Sequence, residues 1–232
     1  IDREFFRQRI RSAVACREQM GFWRKPDTNV FRLVHAEGDF MPGLVCDWYN
    51  GVLIMQAHST GMHNAFPMLS ELFVEELEKY GLKAIFDKSA ATLPGGADDG
   101  YLWGIEPLEW ECEEGGNRLV VNFYEGQKTG FFVDQRENRM LVAELAKGHT
   151  VLNCFGYTGG FTLGALKGGA RYVETVDVSR KAIAMCNRNV ALNFGDNAPH
   201  RGVVADALKY LDGEELTPED LELVAGGCKG CF

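Results

Sequence analysis

The chain has no run of apolar residues long enough to cross a bilayer, and it opens on an arginine-rich amphipathic stretch instead of a signal peptide. Both absences argue against an integral membrane or secreted protein. Cysteine is sparse and irregular: seven residues, at 16, 46, 112, 154, 186, 228 and 231. An odd, scattered set is poor material for a disulfide framework and suits a reducing, cytoplasmic setting. Positive charge is short as well. A net charge of −9 argues against a protein that coats nucleic acid without selectivity, because phosphate binding is driven by lysine and arginine. There is no internal repeat and no low-complexity tract. What is present, 232 residues at 46% hydrophobic content, suffices for one large domain or two small ones with a real core.

Charge is distributed unevenly. Residues 1–35 carry eight Lys/Arg against four Asp/Glu, a local balance of +4, whereas from residue 206 onward seven acids face two lysines. The basic end is the one compositional hint of an RNA-facing surface, although such a run is more often the solvated face of a helix. Phe5, Phe6, Ile10, Ala13 and Val14 at helical spacing predict a helix over 2–20. Strands are expected at 31–35, 44–48 and 52–56, the last two joined by Asn50-Gly51, a dipeptide suited to the positive φ angles of a tight hairpin. Helical spacing covers 64–80, and short strands follow at 83–87, within 101–113 and at 118–124. This is a compact α+β unit, with a loop at 93–100.

The texture changes after about residue 133. Helix 134–147, strand 150–154, helix 160–168, strand 172–176, helix 179–192, strand 202–205 and a helix starting at 206 alternate as βαβ units do, which predicts a parallel sheet. Between the first of these strands and its helix lies Phe155-Gly-Tyr-Thr-Gly-Gly-Phe161. Glycines at 156, 159 and 160 suit a tight turn where a ligand approaches backbone, and the helix N-terminus beyond favours a negative group. The dinucleotide fingerprint is absent, since Thr158 stands where its second glycine belongs. Gly126-Gln-Lys-Thr-Gly130 lacks the spacing of a phosphate loop. Asp177 ends the second strand 21 residues after Gly156, about where α/β cofactor sites place a carboxylate for ribose. Asp206 ends the third. Capping of the following helix is the plainer role for either acid, but three successive strand ends that each carry the expected residue type favour the cofactor reading.

The segments Asn122–Arg139 and Val151–Phe161, with Phe31–Leu44 and Asp47-Trp-Tyr-Asn-Gly51 upstream, resemble the ribosomal RNA large-subunit methyltransferase I family, whose members use S-adenosylmethionine to methylate carbon 5 of a cytosine. The resemblance implies an α/β fold: a Rossmann-like class I methyltransferase domain at 116–232, incomplete at its C-terminus, preceded by a small α+β substrate-side domain at 1–115. It implies S-adenosylmethionine as cofactor and large-subunit ribosomal RNA as substrate, with no membrane partner; a homodimer is compatible with it. Thr129, Phe131, Gln135 and Arg136 would lie at or near the methionine end of the cofactor, Arg136 pairing with its carboxylate. The turn set is Asn153, Phe155, Gly156, Tyr157, Thr158, Gly159, Gly160 and Phe161. Asp177 and Ser179 would serve the ribose side, and Asp206 with Ala207 the adenine.

Three departures from the family pattern stand out. Family members carry an N-terminal PUA domain, an Asp-Pro-Pro loop at a fourth strand and a later cysteine nucleophile, and none of these occurs in this sequence. Residues 220–225 could form the fourth strand, but Gly226–Phe232 stands where Asp-Pro-Pro is expected. Cys228-x-x-Cys231 supplies half the ligands of a structural zinc site, so no metal is expected. No catalytic residue is assigned. The alternative function is a noncatalytic S-adenosylmethionine- or RNA-binding module derived from such an enzyme; a third is methylation of another base or of a small molecule.

Overall fold

A computed structural model describes residues 2–93 and 96–213. The fourth strand expected at 220–225 and the Cys228/Cys231 pair lie outside the described residues. The chain forms two compact units, one from the N-terminus to Gly116 plus Val120–Asp134, the other Asn117–Leu119 plus Gln135 onward. The boundary expected at 115/116 is therefore recrossed: 120–134 clusters with the first unit.

In the first unit, α1 (Arg3–Gln19) begins at Asp2, whose carboxylate accepts the Phe5 amide at 2.9 Å and so satisfies one orphan donor of the first turn. Five strands follow in spatial and chain order: β1 (Val30–His35), β2 (Leu44–Tyr49), β3 (Val52–Ala57), β4 (Ala84–Asp87) and β5 (Gly100–Gly104). All neighbours are antiparallel except β3 and β4. That parallel pair needs a crossover, supplied by α2 (Thr60–His63) and α3 (Phe66–Leu77). The helix expected over 64–80 forms as α3, with Pro67, which has no N–H to give, in its first turn and a 3-10 turn closing the run at Glu78–Tyr80. Asn50 (φ 46°) and Gly51 (φ 98°) make the hairpin, with Tyr49 opposite Val52.

The core between sheet and helices is built on Ile10, Leu33, Leu53, Met55, Leu69 and Phe73, each with no exposed surface. Each such side chain contributes about 1.5–3 kcal/mol on burial. The arginines of α1 are spent inside the unit. Arg3 pairs with Glu71 and Glu75, Arg7 with Glu4 and Glu75, and Arg11 with Glu76, all but Glu4 on α3; Arg17 bonds both oxygens of Asp39. The +4 balance that suggested an RNA-facing helix is met by carboxylates of the same unit.

β6 (Glu109–Glu114) and β7 (Asn117–Asn122) form a two-stranded ladder turned at Gly115 and Gly116, both with positive φ. The second unit holds α4 (Arg136–Leu145), β8 (Thr150–Cys154), α5 (Gly160–Lys167), β9 (Tyr172–Asp177), α6 (Arg180–Phe194), β10 (His200–Val204) and α7 (Ala207–Leu211). The strands are parallel in the order β10-β9-β8, so β9 is central and Val173–Val176 are buried on both faces. α4 packs on α5 through glycine: a Cβ at Gly168 would stand 1.9 Å from the Ala143 carbonyl oxygen, and one at Gly164 2.9 Å from that of Arg139.

Candidate cofactor site

The site is built where β8 hands over to α5. Phe155 (φ 56°), Tyr157 (φ 48°) and Gly159 (φ 86°) all take left-handed backbone. For bulky residues such a conformation costs on the order of 1–3 kcal/mol and persists only if its surroundings impose it. They do. The Gly156 amide donates to the Val176 carbonyl at 3.1 Å and the Gly159 amide to the Gly156 carbonyl at 2.9 Å. The Tyr157 amide reaches Asp177 Oδ2 at 2.9 Å, and Asn189 Nδ2 holds the Thr158 carbonyl at 3.1 Å. One result is that Phe155 stands 68% exposed beside the helix N-terminus.

Asp177 does two jobs. Oδ2 fixes Tyr157, while Oδ1 accepts the Ser179 amide at 2.8 Å; Ser179 Oγ in turn accepts the Ala182 amide and starts α6. A carboxylate offers about four lone-pair directions, and these two amides take one on each oxygen of this half-buried acid. The turn and Asp177 therefore come together as expected. Asp206 is exposed and caps α7, accepting the amides of Leu208 at 2.9 Å and Lys209 at 3.3 Å, and Ala207 is buried beneath it. Phe161 lies half-buried under the Arg139 guanidinium, 5.9 Å from ring centre to Cζ. At the start of α4, Gln135 accepts from Asn138 Nδ2 at 2.8 Å, and Arg136 follows, half-buried.

Thr129 and Phe131 belong to the first unit. Both are buried, and Thr129 Oγ1 donates to Asp47 Oδ2 at 2.6 Å while bonding Tyr49 Oη at 2.9 Å. Phe131 closes the chain by donating its amide to Tyr49 Oη at 3.1 Å. Arg32 binds both oxygens of Asp47, at 2.8 and 3.0 Å. Burial works against the Arg32 charge, yet that forked bond outweighs it and holds its pKa above the ordinary arginine value. Burial, then the Asp47 charge, raise the Tyr49 phenol well above its usual value, so it remains a donor.

Sequence reasoning assigned the turn glycines to ligand approach. Their space is filled by protein instead: a Cβ at Gly156 would lie 2.2 Å from Thr175 Cγ2, and one at Gly159 2.5 Å from Cys186 Sγ. It also missed what lies beneath. Asn153 Nδ2 bonds Thr162 Oγ1 at 2.9 Å, Thr162 Oγ1 bonds Thr175 Oγ1 at 2.6 Å, and Thr175 Oγ1 bonds His200 Nε2 at 2.9 Å. Burial alone brings His200 down to about 4 and, as the largest cause, lifts the Cys186 thiol to about 11. Adjacent polar residues, Glu174 and Thr175, in the middle of the central strand were the available signal.

A parallel β-α-β-α-β unit with a left-handed first turn and an acid at the end of the second strand defines a Rossmann-like cofactor fold of the methyltransferase class. The description "S-adenosylmethionine-dependent methyltransferase" matches residues 31–225, and the chain belongs to that family. It is 36% identical to "Ribosomal RNA large subunit methyltransferase" of Deinococcus radiodurans over 202 residues, covering 85% of this chain and 50% of that protein. It is 37% identical to "Ribosomal RNA large subunit methyltransferase I" of Shewanella denitrificans over 213 residues, 91% of this chain and 53% of that one. The chain thus spans about half the length of these relatives. Among solved structures, "a putative sam-dependent methyltransferase from Streptococcus mutans" superposes with a TM-score of 0.82 at 24% identity, covering 92% of this chain and 55% of that one. A second structure, "a putative methyltransferase complexed with SAH", gives the same score and identity over 92% of this chain and 54% of that one. These two show the fold.

Proposed function

We propose that this chain holds S-adenosylmethionine at the β8–α5 turn and supplies that site for methyl transfer to carbon 5 of a cytosine in large-subunit ribosomal RNA. The observation that carries the cofactor half is Asp177: half-buried at the end of β9, it locks the turn by accepting one backbone amide on each oxygen. In this reading Asp177 accepts the ribose hydroxyls and Asp206 lies beside the adenine. The N-terminus of α5 and Arg136 meet the cofactor carboxylate. When bound, the cofactor supplies an electrophilic methyl group on a sulfonium. Thr129 enters the set only through its place in the chain, because its hydroxyl is spent on Asp47 and Tyr49. Support for the RNA half comes from the names of the relatives. Free cysteines at 16, 46, 112, 154 and 186 are consistent with a reducing, cytoplasmic setting.

Titration with S-adenosylhomocysteine tests the cofactor half: no binding by the folded chain sinks it. Methyl incorporation into unmodified large-subunit RNA, with mapping of the modified nucleotide, tests the other. A label on a different base would replace the cytosine assignment. Cofactor binding without transfer would favour a binding module.

A further inference from the structure

The layer between a parallel sheet and the helices on it is ordinarily filled by aliphatic side chains, but beneath this cofactor turn it is polar. Asn153 on β8, Thr162 on α5, Thr175 on β9 and His200 on β10 form one hydrogen-bonded chain through all three strands and a helix. Each hydroxyl both donates and accepts, so the chain runs in either direction: Thr175 donates to His200 Nε2 when the imidazole carries its hydrogen on Nδ1, and accepts from it in the other tautomer. A buried polar chain of this kind gains little stability over well-packed apolar side chains; what it adds is a fixed geometry.

The turn rests on this chain at two points. Gly156 sits on the Thr175 methyl and Gly159 on the Cys186 sulfur, each too close to admit a Cβ. His200 Nε2 lies 2.9 Å from the Thr175 hydroxyl and 3.8 Å from Cys186 Sγ, and so faces both supports. We propose that Thr175 and His200 are positioning residues that hold the Phe155–Gly159 backbone in its left-handed path before any ligand arrives. This deepens the reading of that turn as the S-adenosylmethionine site and rests on it.

Two variants separate shape from hydrogen bonding. Thr175→Val keeps the shape and removes the hydroxyl; Thr175→Ser keeps the hydroxyl and removes the methyl. Amide hydrogen exchange at 155–159 should rise about tenfold in Thr175→Val, the equivalent of one lost buried bond, and little in Thr175→Ser. Protection along β9 should persist in both. Affinity for S-adenosylhomocysteine should fall about tenfold in Thr175→Val and less than about twofold in Thr175→Ser, although the serine variant has lost buried packing. Should Thr175→Val fail to fold, His200→Asn, too short to reach Thr175, is expected to behave as the valine variant would. Unchanged exchange at 155–159 in these variants overturns the inference, as does affinity that merely follows melting temperature across the set. A wild-type chain that binds no S-adenosylhomocysteine overturns the cofactor reading, and the exchange data then decide this inference alone.

Discussion

Two aspartates at the heart of the two units show opposite ways of using a carboxylate. Asp47 is fully buried and its oxygens are consumed by the Arg32 fork and the Thr129 hydroxyl. Asp177 is half-buried and holds only two backbone amides, one on each oxygen. The first acid is a closed joint: it ties β1, β2 and the returning 129–131 segment, and nothing further can reach it. The second is an open joint, spending one direction of each oxygen on backbone amides; in the proposed function the other meets the ligand. Both are strand residues, Asp47 within β2 and Asp177 at the end of β9. Their donors separate the two roles.

That contrast can be broken by experiment, most heavily at Asp47. Asp47→Asn leaves the Arg32 guanidinium without its charge partner inside the first unit and should cost about 3 kcal/mol in urea unfolding; a loss below about 1 kcal/mol would mean that Arg32 simply turns to solvent. Asp177→Ala should weaken S-adenosylhomocysteine binding by roughly 1.5–3 kcal/mol, the range for hydrogen bonds to a charged group. It should also lower stability by about 1 kcal/mol, because the Tyr157 and Ser179 amides lose their acceptor. Calorimetric titration that finds binding undiminished would make this acid another closed joint. Gly156→Ala should destabilise by about 1–3 kcal/mol through overlap with the Thr175 methyl. Adding Thr175→Ser should return part of that loss, and strictly additive melts would contradict the contact.

A pH dependence is expected as well. His200 titrates at about 4 in the fold against an ordinary 6.5, so the unfolded chain takes up the proton first on acidification. Its contribution to stability is complete above about pH 6.5 and is lost as pH falls toward 4. Unfolding midpoints compared at neutral and mildly acid pH should show a steeper fall in wild type than in His200→Asn. Parallel curves would place the imidazole in water.

Much of the fold was legible because it is written in local periods. The β8, β9 and β10 strands and the helices between them lie within a few residues of their expected bounds, and the Asn50-Gly51 hairpin forms where its turn chemistry demands. What escaped was set by partners far along the chain. The α1 arginines look like an RNA surface until Glu71, Glu75 and Glu76 are brought beside them by the packing of α3. Gly156 and Gly159 look like ligand glycines until Thr175 and Cys186 fill the space beneath. Likewise Thr175 and His200, 25 residues apart, become a pair only through the register of β9 and β10. Asp177 stands at the end of its strand as the spacing implied; that it accepts the Tyr157 and Ser179 amides, one on each oxygen, required the geometry.

The Tyr49–Phe131 and Asp47–Thr129 bonds join residues 82 apart in the chain, and this bears on the clock of synthesis. A ribosome adding about 5–20 residues per second takes roughly 4–16 s to make the intervening stretch. Throughout that interval the β2 hairpin can form with its neighbours, yet Asp47 and Tyr49 still lack the Thr129 and Phe131 groups that complete their site. The first unit therefore closes late, only when residue 134 has been made, though still ahead of the β8 strand of the second unit.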